Sequence, residues 1–597
     1  MRALVIFSCL LPFFTSLIVA GPGGEGAAPV AIGAQIGELS FKDIRYLPRS
    51  LADFKGAKAY ALCFVTNDCP VAQRYLPTLQ KLHEEYKGQG VQFVLINVGA
   101  EDTIRGIAKH ALDHGLTMPV VKDFTGTCVN AVGVTRTPEV VVLDAEKKLR
   151  YRGRIDDKFR LGGERIEASS DDLKNAIVEV LGKRPVRVAE TPVDGCVITI
   201  PRVAEPATPI TYAEHIGPLL RKHCAECHRP ETAAPFSLLT YEQTVARAKM
   251  IAEVTHEERM PPWYASEETG KWANKRGLTD SERLMVQQWV KYGAARGDLS
   301  KLAAVPAELA NPKSKWIIGG EPDLILTTPT QELPADGVVD YKYVMLPYVF
   351  TEDTWIQNLQ ILPDNPRTVH HANLAYMVVG EGFKMQNFIT GYVPGGEPMR
   401  LYDGTAFKIP AKALVIIQIH YVTTGKPEKC QIKVGIRYAK EVVQKQLRFH
   451  LLADYRFAIP PGDPAHKVEA RRTLDRDVTG IALFSHMHFR GKDMTFKATK
   501  PGESEATTLL TVPNFSFDWQ MPYRFPEGEM RLPKGTKLEC IAHYDNSAFN
   551  PYNPDPKATV RDGQQTYQEM MNGFFFYVAS DEKLGIEVDA KTGKVKR

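Results

Sequence analysis

The sequence predicts a multidomain chain: an α/β domain, then an all-α domain, then an all-β region built as two sandwiches. Three observations carry this. Strand-like and helix-like runs alternate up to about Leu181, the pattern of a sheet with parallel pairs covered on both faces. Residues 210 to 298 show helical spacing alone. From about Trp316 onward, short alternating runs are split by Pro, Gly and Asp, as in all-β folds. At 597 residues the chain is too long for one core, and length alone suggests about three to five domains.

The opening MRALVIFSCLLPFFTSLIVAGPGG has a basic start, an apolar run and then small residues. It reads as a secretory signal over residues 1–20, cleaved just after Ala20. The expectation is an exported protein, periplasmic or secreted, touching a membrane only if that segment stays uncleaved. No later apolar run is long enough to span a bilayer. Charge is nearly balanced, 74 basic against 70 acidic side chains with no basic block, which argues against nucleic acid as a partner.

Residues 21–182 form the α/β domain. YALCFV and VQFVLINV are strands. PVAQRYLPTLQKLHEEYKG between them has helical spacing, TIRGIAKHALDHG is a second helix, and PEVVVLDAEKKLRYRG is a hairpin. Cys69, in CFVTNDCPVAQRY, falls where a strand gives way to a helix, so the helix N-terminus favours its thiolate. Thr66 is a candidate hydrogen-bond partner for the sulfur. The T-x-x-C-P segment resembles thioredoxin-fold redoxins of the peroxiredoxin type, and Thr137-Pro138 matches the proline that is cis in that fold. The sequence departs from dithiol oxidoreductases, because Ala72 stands where C-x-x-C would have its second cysteine. Chemistry here is expected to use one thiol, with Cys128 as a possible resolving partner; the alternative is a degenerate redoxin with a docking role. Cys63 reads as a small buried hydrophobe. Residues 183–209, rich in Pro, Val and Arg, read as an extended linker.

Residues 210–300 are helical and contain KHCAECHRP. C-x-x-C-H is the attachment motif for a c-type haem: Cys224 and Cys227 carry it covalently and His228 takes one axial position. The segment resembles a class I cytochrome c. That resemblance implies Met260, in ERMPPWYA, as the second axial ligand, a thioether that raises the potential. A proline-rich connector covers 301–318.

The all-β region divides into 319–462 and 463–597. Its histidines cluster at His370-His371, at His420, and at His486 and His488 in IALFSHMHFRGKDM. On a strand, i and i+2 share a face, so His486 and His488 should lie side by side while Met487 packs inward. Adjacent His370 and His371 face opposite ways on a regular strand, so both can reach one ion only if the chain bulges there. Met570, in TYQEMMNGFFFY, would complete a His2Met set, and a thioether suits Cu(I). His450, His466 and His543 read as hydrogen-bonded turn residues.

The order HH, QIHY, H-x-H-x-x-G-K and QEM resembles the copper type II, ascorbate-dependent monooxygenases, the family of peptidylglycine α-hydroxylating and dopamine β-monooxygenases. The resemblance implies two jelly-roll-like sandwiches facing across a cleft and two copper ions. His370, His371 and His420 would hold the electron-transfer copper, and His486, His488 and Met570 the copper that binds O2. Gln568 replaces the usual acid, Met571 stands at a frequent disulfide position, and the family's disulfides do not transfer. Phe484 occupies the place of the arginine that holds a peptide carboxylate in the amidating branch; Asn572 and Phe574 are candidate pocket residues.

The expected function is C–H hydroxylation of a small-molecule or peptide-like substrate with O2. Electrons would come from a periplasmic donor or ascorbate-like reductant through the fused haem. The alternatives are a non-catalytic electron-transfer or copper-binding protein, and a Cys69 thiol peroxidase.

Overall fold

The computed structural model describes residues 30–200, 202–232, 234–306, 315–382 and 387–596; the expected signal segment and Ala20 lie outside them. No helix among the described residues is long and apolar enough to cross a membrane.

The first unit is a seven-stranded sheet in the order Pro48–Ser50, Ser40–Asp43, Val120–Lys122, Val91–Asn97, Ala59–Val65, Glu139–Asp144, Leu149–Gly153. Ala59–Val65, Val91–Asn97 and Val120–Lys122 run parallel, and their residues are nearly all buried, as strands covered on both faces must be. One face packs Leu79, Ile107 and Ile177 from three helices. The other packs Leu51, Phe54 and Val132. This is the thioredoxin-like α/β domain the sequence predicts.

The expected linker 183–209 is not free chain. Cys196–Val197 pairs antiparallel with Arg136–Thr137, so the redoxin unit extends beyond residue 182. Extended, Val-containing chain with no competing helical period is suited to adding a short strand at an edge.

The helical unit has a π-turn Tyr212–Ile216 continuing into Gly217–His223, then Tyr241–Val245, Ala248–His256 and Asp280–Lys291. Thr240 with Gln243 and Thr279 with Glu282 form capping boxes, which satisfy otherwise orphaned N–H groups. Its core centres on Tyr212 and Trp289. The segment after Ala248–His256 leaves this core. Trp263, Tyr264 and Ala265 pack with Tyr46 and Ile104 of the redoxin unit and with the core of the last sandwich. Ser266 N–H donates to Thr511 O (2.8 Å) and Ala273 N–H to Arg524 O (2.8 Å).

Two pairs of antiparallel sheets follow. In the first, Thr354–Pro363 and Ile432–Tyr438 face Val369–Val378 and Ala413–Tyr421 across Leu359, Val434, Leu374 and Ile417. In the second, Val478–His486 and Asn572–Ala579 face Gly491–Thr499 and Lys537–Tyr544 across Leu483, Phe575, Phe496 and Ala542. The expected boundary at 462/463 moves: strand Arg448–Ala453 pairs with Asn572–Ala579 and belongs to the second sandwich. The chain end returns to the first, with Lys594 bridged to Thr354.

Candidate metal centres and thiol site

Strand Val369–Val378 pairs with Ala413–Tyr421, and the register shifts between Val369 and His371. That is a bulge at His370, the irregularity two adjacent histidines need in order to share a face. Ligating atoms of His370, His371 and His420 lie within 4.8 Å of one another. His370 donates its Nε2–H to Asp518 (2.7 Å); its Nδ1 and the Nδ1 of His420 are buried without a hydrogen-bond partner. Orphaned buried nitrogens need an explanation, and a metal ion supplies one. Burial, followed by the neighbouring imidazoles, holds His371 well below the usual histidine range. Burial and His370 push His420 down to about 4. Neutral imidazole is the form that binds metal.

In the second sandwich, Val478–His486 ends at His486, and His488 follows in a turn closed by Gly491 N–H to His488 O (3.1 Å). The two imidazoles are side by side, ring centroids 5.3 Å apart. Met487 is fully buried in the core. A Cβ at Gly491 would meet Met487 Cβ at 2.7 Å and the Phe515 ring at 2.8 Å, so the turn requires glycine there. His486 donates Nδ1–H to Gln520 Oε1 (2.6 Å) and His488 donates Nδ1–H to Gln568 O (3.2 Å). Such outer partners fix the tautomer and leave each Nε2 lone pair for an ion. Met570 lies two residues before Asn572, which pairs with His486, and Asn572 Nδ2–H approaches Met570 Sδ at 3.5 Å. Both donor sets therefore fit copper: three imidazoles in one, two imidazoles and a thioether in the other.

His371, His486, His488 and Met570 line one cavity of about 560 Å³. Phe484, Asn572 and Phe574 line it too, and among the described residues its lining contains no Lys, Arg, Asp or Glu.

Three groups have roles that the sequence reading did not assign. Loop 513–521 reaches both histidine sets: Asp518 holds His370, Gln520 holds His486, and the Phe517 ring lies 5.0 Å from His370 and 6.1 Å from His488 between centroids. Glu569 is fully buried and accepts the N–H groups of His488 (2.8 Å) and Arg490 (2.6 Å). Burial pushes its carboxyl up to about 8, against the pull of those bonds and of Arg490. Tyr341 packs over His371 and His420. Only Glu569 had a sequence signal, inside the QEM motif. His450, His466 and His543 lie on strands rather than turns; His543 bonds Asp493 at 2.7 Å.

In the helical unit, Cys224, Cys227 and His228 follow helix Gly217–His223. His228 donates Nδ1–H to Phe236 O (3.1 Å), which leaves Nε2 as the ligating atom, as a haem-bound histidine requires. Burial raises both thiols, Cys224 to about 12. Met260 is half-buried beyond helix Ala248–His256, its N–H donated to Val254 O (3.0 Å). A Cβ at Gly395 would touch both the Trp519 ring (3.4 Å) and Cys227 Sγ (3.6 Å).

In the redoxin unit, Cys69 is the N-cap of helix Pro70–Tyr86 and is 1% exposed. Its thiol donates to Thr137 O (3.2 Å), and the Thr137-Pro138 peptide is cis. Burial raises its pKa, but hydrogen bonds involving Cys196, the Ala72 N–H and Thr137 outweigh that and lower it. Thr66 Oγ1 is buried without a hydrogen-bond partner and does not hold the sulfur. Cys128, the expected resolving partner, does not lie beside Cys69. It packs on the opposite face of the sheet and donates to Ser40 O at 3.4 Å.

Residues 32–152 match the AhpC/TSA family. The thiol-disulfide oxidoreductase ResA of Geobacillus thermodenitrificans is 30% identical over 121 residues, 20% of this chain and 68% of that protein. The chain belongs to the AhpC/TSA family. The Geobacillus kaustophilus ResA is 29% identical with the same coverage. Among solved structures, a hypothetical protein of Sinorhizobium meliloti is 27% identical, covering 29% of this chain and 95% of that one, with a TM-score of 0.27. The AhpC/TSA membership makes the first domain a redoxin and the chain an oxidoreductase. The matched segment ends before Cys196, the C-x-x-C-H segment and every histidine of the two clusters.

Proposed function

We propose that this AhpC/TSA-family chain is an exported copper monooxygenase that hydroxylates a C–H bond of a neutral, largely apolar substrate with O2. The observation that carries the reading is the single cavity onto which His371 of one set and His486, His488 and Met570 of the other all open. His370, His371 and His420 would hold one copper, and His486, His488 and Met570 the second. Bound copper would supply one-electron transfer and O2 activation. The chain's own contribution is positional. Asp518, Gln520 and the Gln568 carbonyl fix imidazole tautomers. Phe484, Phe574, Phe388 and Met377 offer apolar walls that exclude water. Asn373, Gln418 and Tyr343 form a hydrogen-bonded row (3.0 and 2.8 Å) along the cavity, suited to one polar group of a substrate.

Cys224, Cys227, His228 and Met260 would hold one covalent haem c, whose chemistry is single-electron transfer from a periplasmic donor or an ascorbate-like reductant. Cys227 Sγ and the Trp519 ring meet at Gly395, and Trp519 sits between Asp518 and Gln520, the residues that hold His370 and His486. This adjacency supports a haem feeding copper within one chain. Burial of Cys69 argues against direct attack on bulk peroxide.

Metal analysis of the purified full chain should give two coppers and one haem iron. The copper-loaded protein should then incorporate 18O from labelled O2 into small apolar substrates. Zinc, or no copper, overturns the reading; two coppers without any 18O-labelled product leave a copper-binding electron carrier in its place.

A further inference from the structure

We propose that Cys69 and Cys196 are a redox-active pair that closes to a disulfide, and that exchange with an external dithiol enters through the Cys196 sulfur. This is independent of the copper reading.

Cys196 stands opposite Thr137 in the two-residue ladder Cys196–Val197 with Arg136–Thr137. Cys69 Sγ donates to the carbonyl of the same Thr137 at 3.2 Å. The two cysteines thus converge on one residue, Thr137, and each thiol shifts the acidity of the other. Two features hold the approach. A Cβ at position 195 would lie 2.1 Å from Thr137 O, so only Gly195 lets the strand come this close. Arg136 Nη1–H donates to Gly195 O at 2.7 Å and pins it. Both thiols are free in the structure, Cys69 buried and Cys196 half-buried. The second thiol that Ala72 denies to a C-x-x-C arrangement is supplied from more than a hundred positions away in the sequence.

The asymmetry of the pair sets the direction of attack. Burial and the neighbouring Cys69 raise Cys196 to about 11, whereas Cys69 is lowered, and the sulfur with the lower value is the better leaving group. In the oxidised pair, one thiolate of an external dithiol attacks the accessible Cys196 Sγ. The Cys69–Cys196 bond breaks and its electron pair leaves on Cys69 as a thiolate, held by the Ala72 N–H. The dithiol's second thiolate attacks its own sulfur in the mixed disulfide and expels Cys196, which takes up a proton. One external dithiol becomes a disulfide, losing two electrons, and the protein disulfide gains them. A more oxidising external disulfide runs the same steps backwards.

The test is equilibration of the full chain in graded ratios of reduced to oxidised dithiothreitol, acid quench, alkylation and peptide mapping. The expected result is a two-electron transition in a crosslinked peptide pair containing Cys69 and Cys196. It disappears in both Cys69→Ser and Cys196→Ser and is unchanged in Cys128→Ser. A brief exposure of the oxidised protein to glutathione should place the mixed disulfide on Cys196. A disulfide joining Cys69 to Cys128, no crosslink at any ratio, or a transition that survives Cys196→Ser overturns the pairing. Glutathione found on Cys69 overturns the entry through Cys196. Circular dichroism identical to wild type in the two serine variants establishes that loss of the crosslink is not unfolding, and Gly195→Ala, which blocks the approach while keeping both thiols, should also abolish the crosslink.

Discussion

Glu569 ties the two halves of the second candidate copper site together, and its replacement by glutamine should weaken that site alone. One carboxyl oxygen accepts the N–H of His488 (2.8 Å) and the other accepts the N–H of Arg490 (2.6 Å). The next residue in the chain is Met570. The side chain therefore clamps the H-x-H turn to the segment that carries Met570. Glutamine has the same shape but one oxygen only, so whichever way the amide turns, one buried N–H faces a donor. Leaving a buried donor unsatisfied costs about 1–3 kcal/mol. Loss of an outer partner of a metal ligand typically lowers affinity by about 10–100-fold, roughly 1.4–2.8 kcal/mol, so the two scales agree. The assay is competition for Cu(I) against a chromophoric chelator. The wild-type chain should fill two sites. In Glu569→Gln the His370/His371/His420 site should keep its affinity and the His486/His488/Met570 site should lose about 10–100-fold. Wild-type affinity at both sites, or equal weakening at both, refutes the clamp.

Two further predictions concern packing and charge. Gly573→Ala puts a Cβ 2.5 Å from Cys540 Sγ and 2.9 Å from the Phe496 ring; thermal unfolding should show a loss of about 1–3 kcal/mol, largely restored by adding Cys540→Ala, and no recovery in the double variant would contradict the contact. Lys122 is buried, and burial lowers it to about 8 from an ordinary 10.5, despite nearby acids. Below pH 8 the amine is charged in both folded and unfolded chain and the full cost of burying it is present. Between about 8 and 10.5 the unfolded chain binds more protons, so stability rises with pH, by at most roughly 3.4 kcal/mol. Urea unfolding across that window should show the rise in wild type and a flatter profile in Lys122→Met; parallel profiles would remove Lys122 as the cause.

What the sequence determined by itself is local. Alternation of strands and helices, the C-x-x-C-H segment, the strand–helix junction at Cys69 and the period of two at His486 and His488 all follow from backbone geometry within a few residues. Even the bulge at His370 was inferable, because adjacent side chains cannot share a face without one. The tertiary structure decided what depends on chain segments far apart. Cys196 finds Cys69 only because Gly195 admits a two-residue strand against Thr137. Cys128, the possible partner read from the sequence, packs on the other face of the sheet from Cys69. Loop 513–521 carries no motif, yet it bonds both histidine sets. Residues 263–265, which the sequence assigns to a helical domain, fill the core of the last sandwich. Hydrophobic burial is non-directional and rewards any apolar surface that fits, so which segments meet is set by the shape of the whole fold rather than by any pattern a single segment contains.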